Sequence, residues 1–312
     1  MPVPAVDPEI QTLLDTADTG VFPVYGLDEV LADPQRYAPL RARPGTPVDD
    51  QVTVRDLDIP GPGGQLRLRV YRPDTPEDLP MILYVHGGAY TYGSPEAEEG
   101  RSLRYARDVR AVVVSVDYRL APEHPYPAAA DDAYAALTWI AANPAELGGD
   151  SARIAVAGGS AGGNIAASTA LRARDQAGPR LLFQSLTYPG VDGSLATTSA
   201  REFTDTPVLN RAALELAVRY YAKDGHADPY AFPSRAADLS GLPPTYIAVA
   251  EIDPLRDEGL DYAARLSAAG VTTELVQVPG AVHGFDLLFP QARISERNLA
   301  DQVRALREAL HR

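Results

Sequence analysis

Ile154-Ala155-Val156-Ala157-Gly158-Gly159-Ser160-Ala161-Gly162 is the stretch on which the reading of the fold turns. Four apolar residues in succession, without polar alternation, predict a short strand covered on both faces, as in a parallel sheet. The glycines predict a sharp turn, and the alanine-rich segment from Ile165 to Ala177 predicts a helix directly after it. A serine hydroxyl is a poor nucleophile unless it is projected out of the sheet towards a base, and a strained strand-to-helix turn with small neighbours does this. Ser160 is therefore the candidate nucleophile. Two other glycine-rich turns fail on residue identity. No Gly-Lys-Ser or Gly-Lys-Thr follows for a phosphate loop, and Ser160 stands where a dinucleotide fingerprint needs its second glycine.

Apolar runs of the same kind lie outward on both sides, at Met81 to Val85, Ala111 to Val116, Leu181 to Phe183 and Tyr246 to Ala250, and Glu274 to Val278 reads as a further strand. Helical stretches separate most of them, among them Ala128 to Ala142, and a final helix carries Leu299, Val303, Leu306 and Leu310 on one face. This alternation predicts an α/β fold with a mostly parallel sheet and helices on both faces. Gln65 to Val70 alternates strictly after the Gly61-Pro62-Gly63-Gly64 turn, which predicts an antiparallel hairpin with Val52 to Ile59. At the amino end, Asp7 before Pro8 reads as a cap and first turn, with Ile10, Leu13, Leu14 and Ala17 on one face and Gly20 as the stop. One interval breaks the rhythm, between the Leu181 to Phe183 run and the Tyr246 to Ala250 run, with its own helix near Asn210 to Lys223. It reads as an insertion. The expected organisation is an amino-terminal cap segment at 1–45, a core at 46–189, a cap insertion at 190–225, and the rest of the core at 226–312.

The 312 residues carry 42 acidic and 28 basic side chains, a formal net charge of −14. Such a surface repels phosphate backbones and anionic membranes, so no nucleic-acid or membrane partner is expected. The absence of cysteine excludes disulfides, thiol catalysis and thiolate metal sites. No two histidines sit at ligand spacing, so no metal site is expected. The first residues lack the basic and apolar parts of a secretory signal, and no stretch approaches the ~20 apolar residues of a membrane span. A cytoplasmic location is the expectation.

His86-Gly87-Gly88-Ala89-Tyr90 follows the Met81 to Val85 strand. Acyl transfer builds negative charge on a carbonyl oxygen, and backbone N–H groups of a glycine-rich loop can be aimed at it. Gly87 and Gly88, with the N–H of Ala161 at its helix start, are the expected donors. Of the aromatic residues Tyr90, Tyr92, Tyr188, Tyr220 and Tyr221, Tyr90 is assigned to the substrate pocket.

At this point the sequence resembles the bacterial hormone-sensitive-lipase-like carboxylesterases, the family IV esterases of the α/β-hydrolase fold. The matching elements are the HGGAY loop, the Asp117 to Asp132 stretch DYRLAPEHPYPAAADD, the GGSAGGN elbow, the Asp253 to Gly259 stretch DPLRDEG, and Val282-His283-Gly284-Phe285, in the family's order. Two positions depart from the pattern: Ala89 replaces a common third glycine, and Gly159 stands where aspartate or threonine is common. The resemblance implies a cap domain, ester hydrolysis and no cofactor, with a small-molecule ester as partner and a homodimer as often as a monomer. It also places the base at His283, which sits on a loop after a late strand, where a parallel sheet exposes its carboxyl edge. His86 reads as a brace for the glycine loop, His124 as a turn residue, and His226 and His311 as surface.

Three acidic residues compete to orient that base. Asp253 sits at a strand end before Pro254, Asp257 reads as a first-turn helix charge, and Glu251 lies on the strand. Asp253 is favoured, and the order Ser160, Asp253, His283 is that of the α/β-hydrolases. The expected reaction is hydrolysis of short- to medium-chain acyl esters, about C2 to C8, because a closed acyl pocket of ordinary volume excludes longer tails. Same-fold amidases, lactonases and dehydratases use much the same residues. A non-catalytic binding member, such as a gibberellin receptor, has a triad position replaced.

Overall fold

The glycine-rich turn after Ile59 joins strands β1 (Val52–Gly61) and β2 (Gly64–Pro73) as an antiparallel pair in a computed structural model that describes residues 4–16, 49–223 and 228–312. Leu66, Leu68 and Val70 of β2 are buried while Arg67 and Arg69 face outward, as the strict alternation requires. The strands that follow are β3 (Leu79–Val85), β4 (Val112–Val116), β5 (Gly149–Gly159), β6 (Phe183–Thr187), β7 (Thr245–Ile252) and β8 (Thr273–Val282). They form one eight-stranded sheet in the order β1-β2-β4-β3-β5-β6-β7-β8, antiparallel only where β2 meets β1 and β4.

Every residue of β3 and β4 is buried, which is why these strands read as unbroken apolar runs. Leu83, Val85, Val114 and Val156 pack on one face with helices Ala128–Ala142, Ala161–Asp175 and Arg256–Ala268. Ile82, Tyr84, Val113 and Ala155 pack on the other, against the turn Tyr105–Arg110 and the helix Arg293–Leu310. From β3 the chain winds outward to β4 and then returns past β3 to β5, so the direction of winding reverses at β3. An open sheet places its binding crevice outside the carboxyl ends of the strands at such a reversal. The loops after β3 and β5 carry His86 to Tyr90 and Ser160.

Three local differences from the sequence reading stand out, and two have a visible physical cause. Strand β6 is Phe183–Thr187 rather than Leu181 to Phe183. Its buried Gln184, Ser185 and Thr187 hide it from an apolar pattern, and Gln184 Nε2 is satisfied by Thr245 Oγ1 of β7 at 2.8 Å. The helix after the turn begins at Ala161, ahead of Ile165, and so includes two glycines. A side chain at Gly162 would lie 2.1 Å from the Val85 carbonyl, so close packing against β3 overrides the poor helix propensity of glycine. The hairpin itself extends two residues beyond Ile59, to Gly61.

The amino-terminal helix is Pro8–Thr16, with Asp7 Oδ1 accepting from the N–H of Glu9 at 2.9 Å and of Ile10 at 3.3 Å. It docks on β8 through Asp7 N–H to the Gly280 carbonyl, 2.9 Å. Ala17 and Gly20, and the expected cap segment beyond residue 16, lie outside the described residues, as does His226. Within 190–225 stand helices Thr198–Glu202 and Arg211–Ala222, the second capped by Asn210 Oδ1 at 3.0 Å from the Ala213 N–H. Among the described residues, no helix is long and apolar enough to cross a membrane.

Candidate active site

Ser160 sits at the apex of the turn between β5 and the helix Ala161–Asp175, with φ 57° and ψ −124°. A non-glycine residue in that region costs roughly 1–3 kcal/mol and persists only where the surroundings enforce it. Here the enforcement is visible. Ser160 N–H donates to Thr187 O at 2.9 Å, and a side chain at Gly158 would lie 2.4 Å from the Gly162 carbonyl. Only glycine lets strand and helix approach so closely. At Gly159 an added carbon would meet nothing nearer than Tyr188 at 3.5 Å, an ordinary contact, so the backbone packing there does not itself demand glycine.

His283, on the loop after β8, is brought to Ser160 from 123 positions along the chain, with Nε2 2.8 Å from Ser160 Oγ. Its Nδ1 lies 2.7 Å from Asp253 Oδ2, at the end of β7. Asp253 is fully buried and its other oxygen accepts from Leu255 N–H at 2.9 Å. A carboxylate only accepts, so Nδ1 carries the ring proton and Nε2 is left to accept from the serine hydroxyl. The other two acidic residues stand elsewhere. Asp257 is in the first turn of helix Arg256–Ala268 and accepts from Ser199 N–H at 2.7 Å, while Glu251 accepts from Gly280 N–H at 2.8 Å.

The glycine loop corrects one expectation. Gly87 N–H donates to Glu98 Oε1 at 2.6 Å and is not free to meet a substrate oxygen. Glu98 is buried and also accepts from Tyr84 OH, so it anchors the loop from beneath. The N–H groups of Gly88, Ala89 and Ala161 have no protein acceptor among the described residues. Gly88 adopts φ 118°, where a side chain would strike the Tyr92 carbonyl at 2.1 Å, and Ala89 and Tyr90 also have positive φ. His86 is fully buried, stacks on Tyr118 at 4.2 Å and directs Nδ1 to the Gly87 carbonyl at 2.7 Å. Burial lowers its pKa, which leaves a neutral ring that donates from Nδ1 and braces the loop.

Two cavities open on Ser160. One is lined by Gly88, Glu98, Tyr188, His283 and Leu288, the other by Tyr90, Ala161, Leu214, Phe232 and Glu258. Tyr90 thus lines a pocket, its ring stacked on Tyr221 at 3.8 Å. Tyr92 and Tyr188 border the first cavity.

A family profile described as alpha/beta hydrolase fold matches residues 82–287, which hold both loops and all three residues of the Ser160–His283–Asp253 line. The chain belongs to the α/β-hydrolase family. This hydrolase is 44% identical over 288 residues to esterase LipI of Mycobacterium tuberculosis, covering 90% of this chain and 88% of the relative. It is 43% identical to carboxylesterase NlhH of the same organism, covering 99% and 97%. A solved structure titled Bacterial Heroin Esterase superposes with TM-score 0.91 at 39% identity, covering 99% of each chain. These similarities uphold the resemblance drawn from the five ordered motifs.

The sequence reading of the hydrolase missed three buried groups near the glycine loop and Tyr188: Glu98, Arg101 and Asp286. Arg101 pairs with Asp286 Oδ1 at 2.9 Å, and Tyr188 OH donates to the same oxygen at 2.6 Å. Asp286 Oδ2 accepts from Asn298 at 2.7 Å and Gln302 at 3.3 Å. Tyr188 meets the His283 ring edge-on at 4.8 Å. In sequence, Glu96, Glu98 and Glu99 carry no sign of their burial, and only tertiary packing shows that Glu98 and Glu99 are buried while Glu96 is half-buried.

Proposed function

We propose that this hydrolase is a serine carboxylesterase acting on short- to medium-chain acyl esters by two-step acyl transfer. The chain is a carboxylic ester hydrolase, and the relatives named above are called esterases. The observation that carries the mechanism is the unbroken line from Ser160 Oγ through His283 to Asp253, at 2.8 and 2.7 Å. His283 takes the hydroxyl proton as Ser160 attacks the ester carbonyl, and Asp253 stabilises the imidazolium that forms. The alkoxide oxygen is received by the N–H groups of Gly88 and Ala161, with Ala89 N–H beside them. Return of the proton to the alcohol oxygen breaks the ester bond, and water then releases the acid by the same steps. Residues of the 190–225 insertion wall both cavities, Val208 on one side and Leu214 on the other, which supports its role as a cap.

A fluorophosphonate is expected to label Ser160 alone, and Ser160→Ala to lower kcat on p-nitrophenyl esters by roughly 10⁴ or more. Near-native turnover by that variant, or faster cleavage of matching anilides than of esters by the native enzyme, refutes the reading.

A further inference from the structure

Asp253 follows β7 directly, and the aim of its carboxylate is set by the turn Asp253-Pro254-Leu255-Arg256 that leads into the helix Arg256–Ala268. Inside the turn, Leu255 N–H holds Asp253 Oδ1 at 2.9 Å and Arg256 N–H donates to the Asp253 carbonyl at 3.0 Å. Pro254 carries no N–H, so the turn has one bond fewer to close on itself. Its outer side is anchored from the 190–225 insertion. Ser199, in the helix Thr198–Glu202 and 55 positions before Pro254, is 1% exposed. Ser199 Oγ donates to the buried Pro254 carbonyl at 2.9 Å and accepts from Asp257 N–H at 3.1 Å, while Ser199 N–H donates to Asp257 Oδ2 at 2.7 Å. A hydroxyl donates and accepts at once, so this one side chain spans the turn from Pro254 to the first turn of the helix.

The joint continues into the rest of the insertion. Arg211, the first residue of the helix Arg211–Ala222, donates from Nη1 to the Ala200 carbonyl at 3.0 Å and from its backbone N–H to the Phe203 carbonyl at 3.2 Å. One turn further on, Leu214 lines the cavity that opens on Ser160 beside Ala161. A contiguous set of hydrogen bonds therefore links the helix that carries this wall to the backbone that carries Asp253. Coupling between two sites needs such a physical connection and a measurement that detects it.

From this we infer that Ser199 is a positioning residue for the triad: by clamping Pro254 and Asp257 it fixes the direction in which Asp253 meets His283, so the insertion is seated and the imidazole aligned through the same joint. This role rests on the carboxylesterase reading and adds to it a residue that touches neither substrate nor reacting atoms. Misplacing a catalytic group by about 1 Å costs up to roughly 100-fold in rate. Truncation of Ser199 leaves the Leu255 and Arg256 bonds in place, so its cost is smaller than that.

The test is a double-mutant cycle, read as kcat and KM on p-nitrophenyl acetate with thermal unfolding followed alongside. Ser199→Ala is expected to lower kcat about tenfold while KM stays within about threefold. In an Asp253→Asn background the same substitution is expected to change kcat by less than about twofold, because the carboxylate through which Ser199 acts is already gone. A residue that only supports the fold gives a different pattern: the same loss in both backgrounds, or a lower melting temperature with kcat unchanged. Either result overturns the inference, as does a rise in KM with kcat unchanged, which would make the insertion a wall and nothing more. Should Ser199→Ala not fold, Asp257→Ala takes its place, removing the acceptor of the Ser199 N–H and keeping the hydroxyl. Its expected loss is about three- to tenfold, again absent in the Asp253→Asn background. Asp257→Asn keeps an oxygen for that N–H and escapes most of this loss. A native enzyme with no turnover on any ester would remove the carboxylesterase reading itself, whereas an active enzyme with additive losses removes only the role of Ser199.

Discussion

Asp253 and Asp286 are both buried aspartates, and they have opposite kinds of partner. Asp253 is fully buried and accepts from His283 Nδ1 and one backbone N–H. Asp286, three positions after the histidine, is also buried, but it accepts from the Arg101 guanidinium, Tyr188 OH and two side-chain amides. An arginine is charged at every relevant pH, so the charge of Asp286 is matched permanently. The imidazole beside Asp253 becomes a cation only when it takes a proton. The interaction of Asp253 with His283 therefore strengthens as the serine is activated, whereas that of Asp286 with Arg101 is the same before and after. Residue type and burial do not separate the two roles; the nature of the partner does.

The sharpest way to break this comparison is to neutralise each aspartate in turn. Asp253→Asn is expected to lower kcat on a short-chain ester by about 10²–10⁴, because an amide at that position can favour the wrong imidazole tautomer. Asp257→Asn, which touches no part of the His283 line, is expected to cost under about tenfold. Equal losses in the two variants, both folded by thermal unfolding, would end the distinction between these carboxylates.

Asp286→Asn should act on stability first. It leaves Arg101 buried without its counter-charge, a change that costs about 3–5 kcal/mol. Denaturant unfolding should register that loss, while kcat measured below the new melting temperature stays within about tenfold of the parent. A stable Asp286→Asn protein with kcat as low as that of Asp253→Asn would show that the two aspartates act alike.

The smallest expected effect concerns a third buried carboxyl. Burial raises the Glu258 pKa well above 4.5 in the folded chain, so the folded state binds that proton more tightly than the unfolded chain does. Its contribution is present below the unfolded pKa and is lost as pH rises towards the folded one. Glu258→Gln should remove this slope. Unfolding free energy, followed from about pH 5 to about pH 8, should fall less steeply in the variant than in the parent. A steeper fall in the variant would mean that Glu258 is ionised when folded.

Much of the fold is written in local pattern. The unalternated run from Met81 to Val85 and the alternating Gln65 to Val70 encode which strands are covered on two faces and which on one, because side-chain periodicity follows directly from backbone geometry. The turn Gly158 to Gly162 was legible for the same reason, since only glycine fits between β5, β3 and the helix. Strand β6 was misplaced because its buried Gln184 and Ser185 depend on a hydrogen-bond partner in another strand, which no local pattern records. The sequence by itself thus determined the order of strands and helices and the family to which the motifs point. Tertiary structure decided the partners: that Gly87 N–H turns to Glu98, that Arg101 neutralises Asp286, and that His283 meets Ser160 across 123 positions. Hydrogen bonds and ion pairs depend on distance in space, and the packing of the sheet sets that distance.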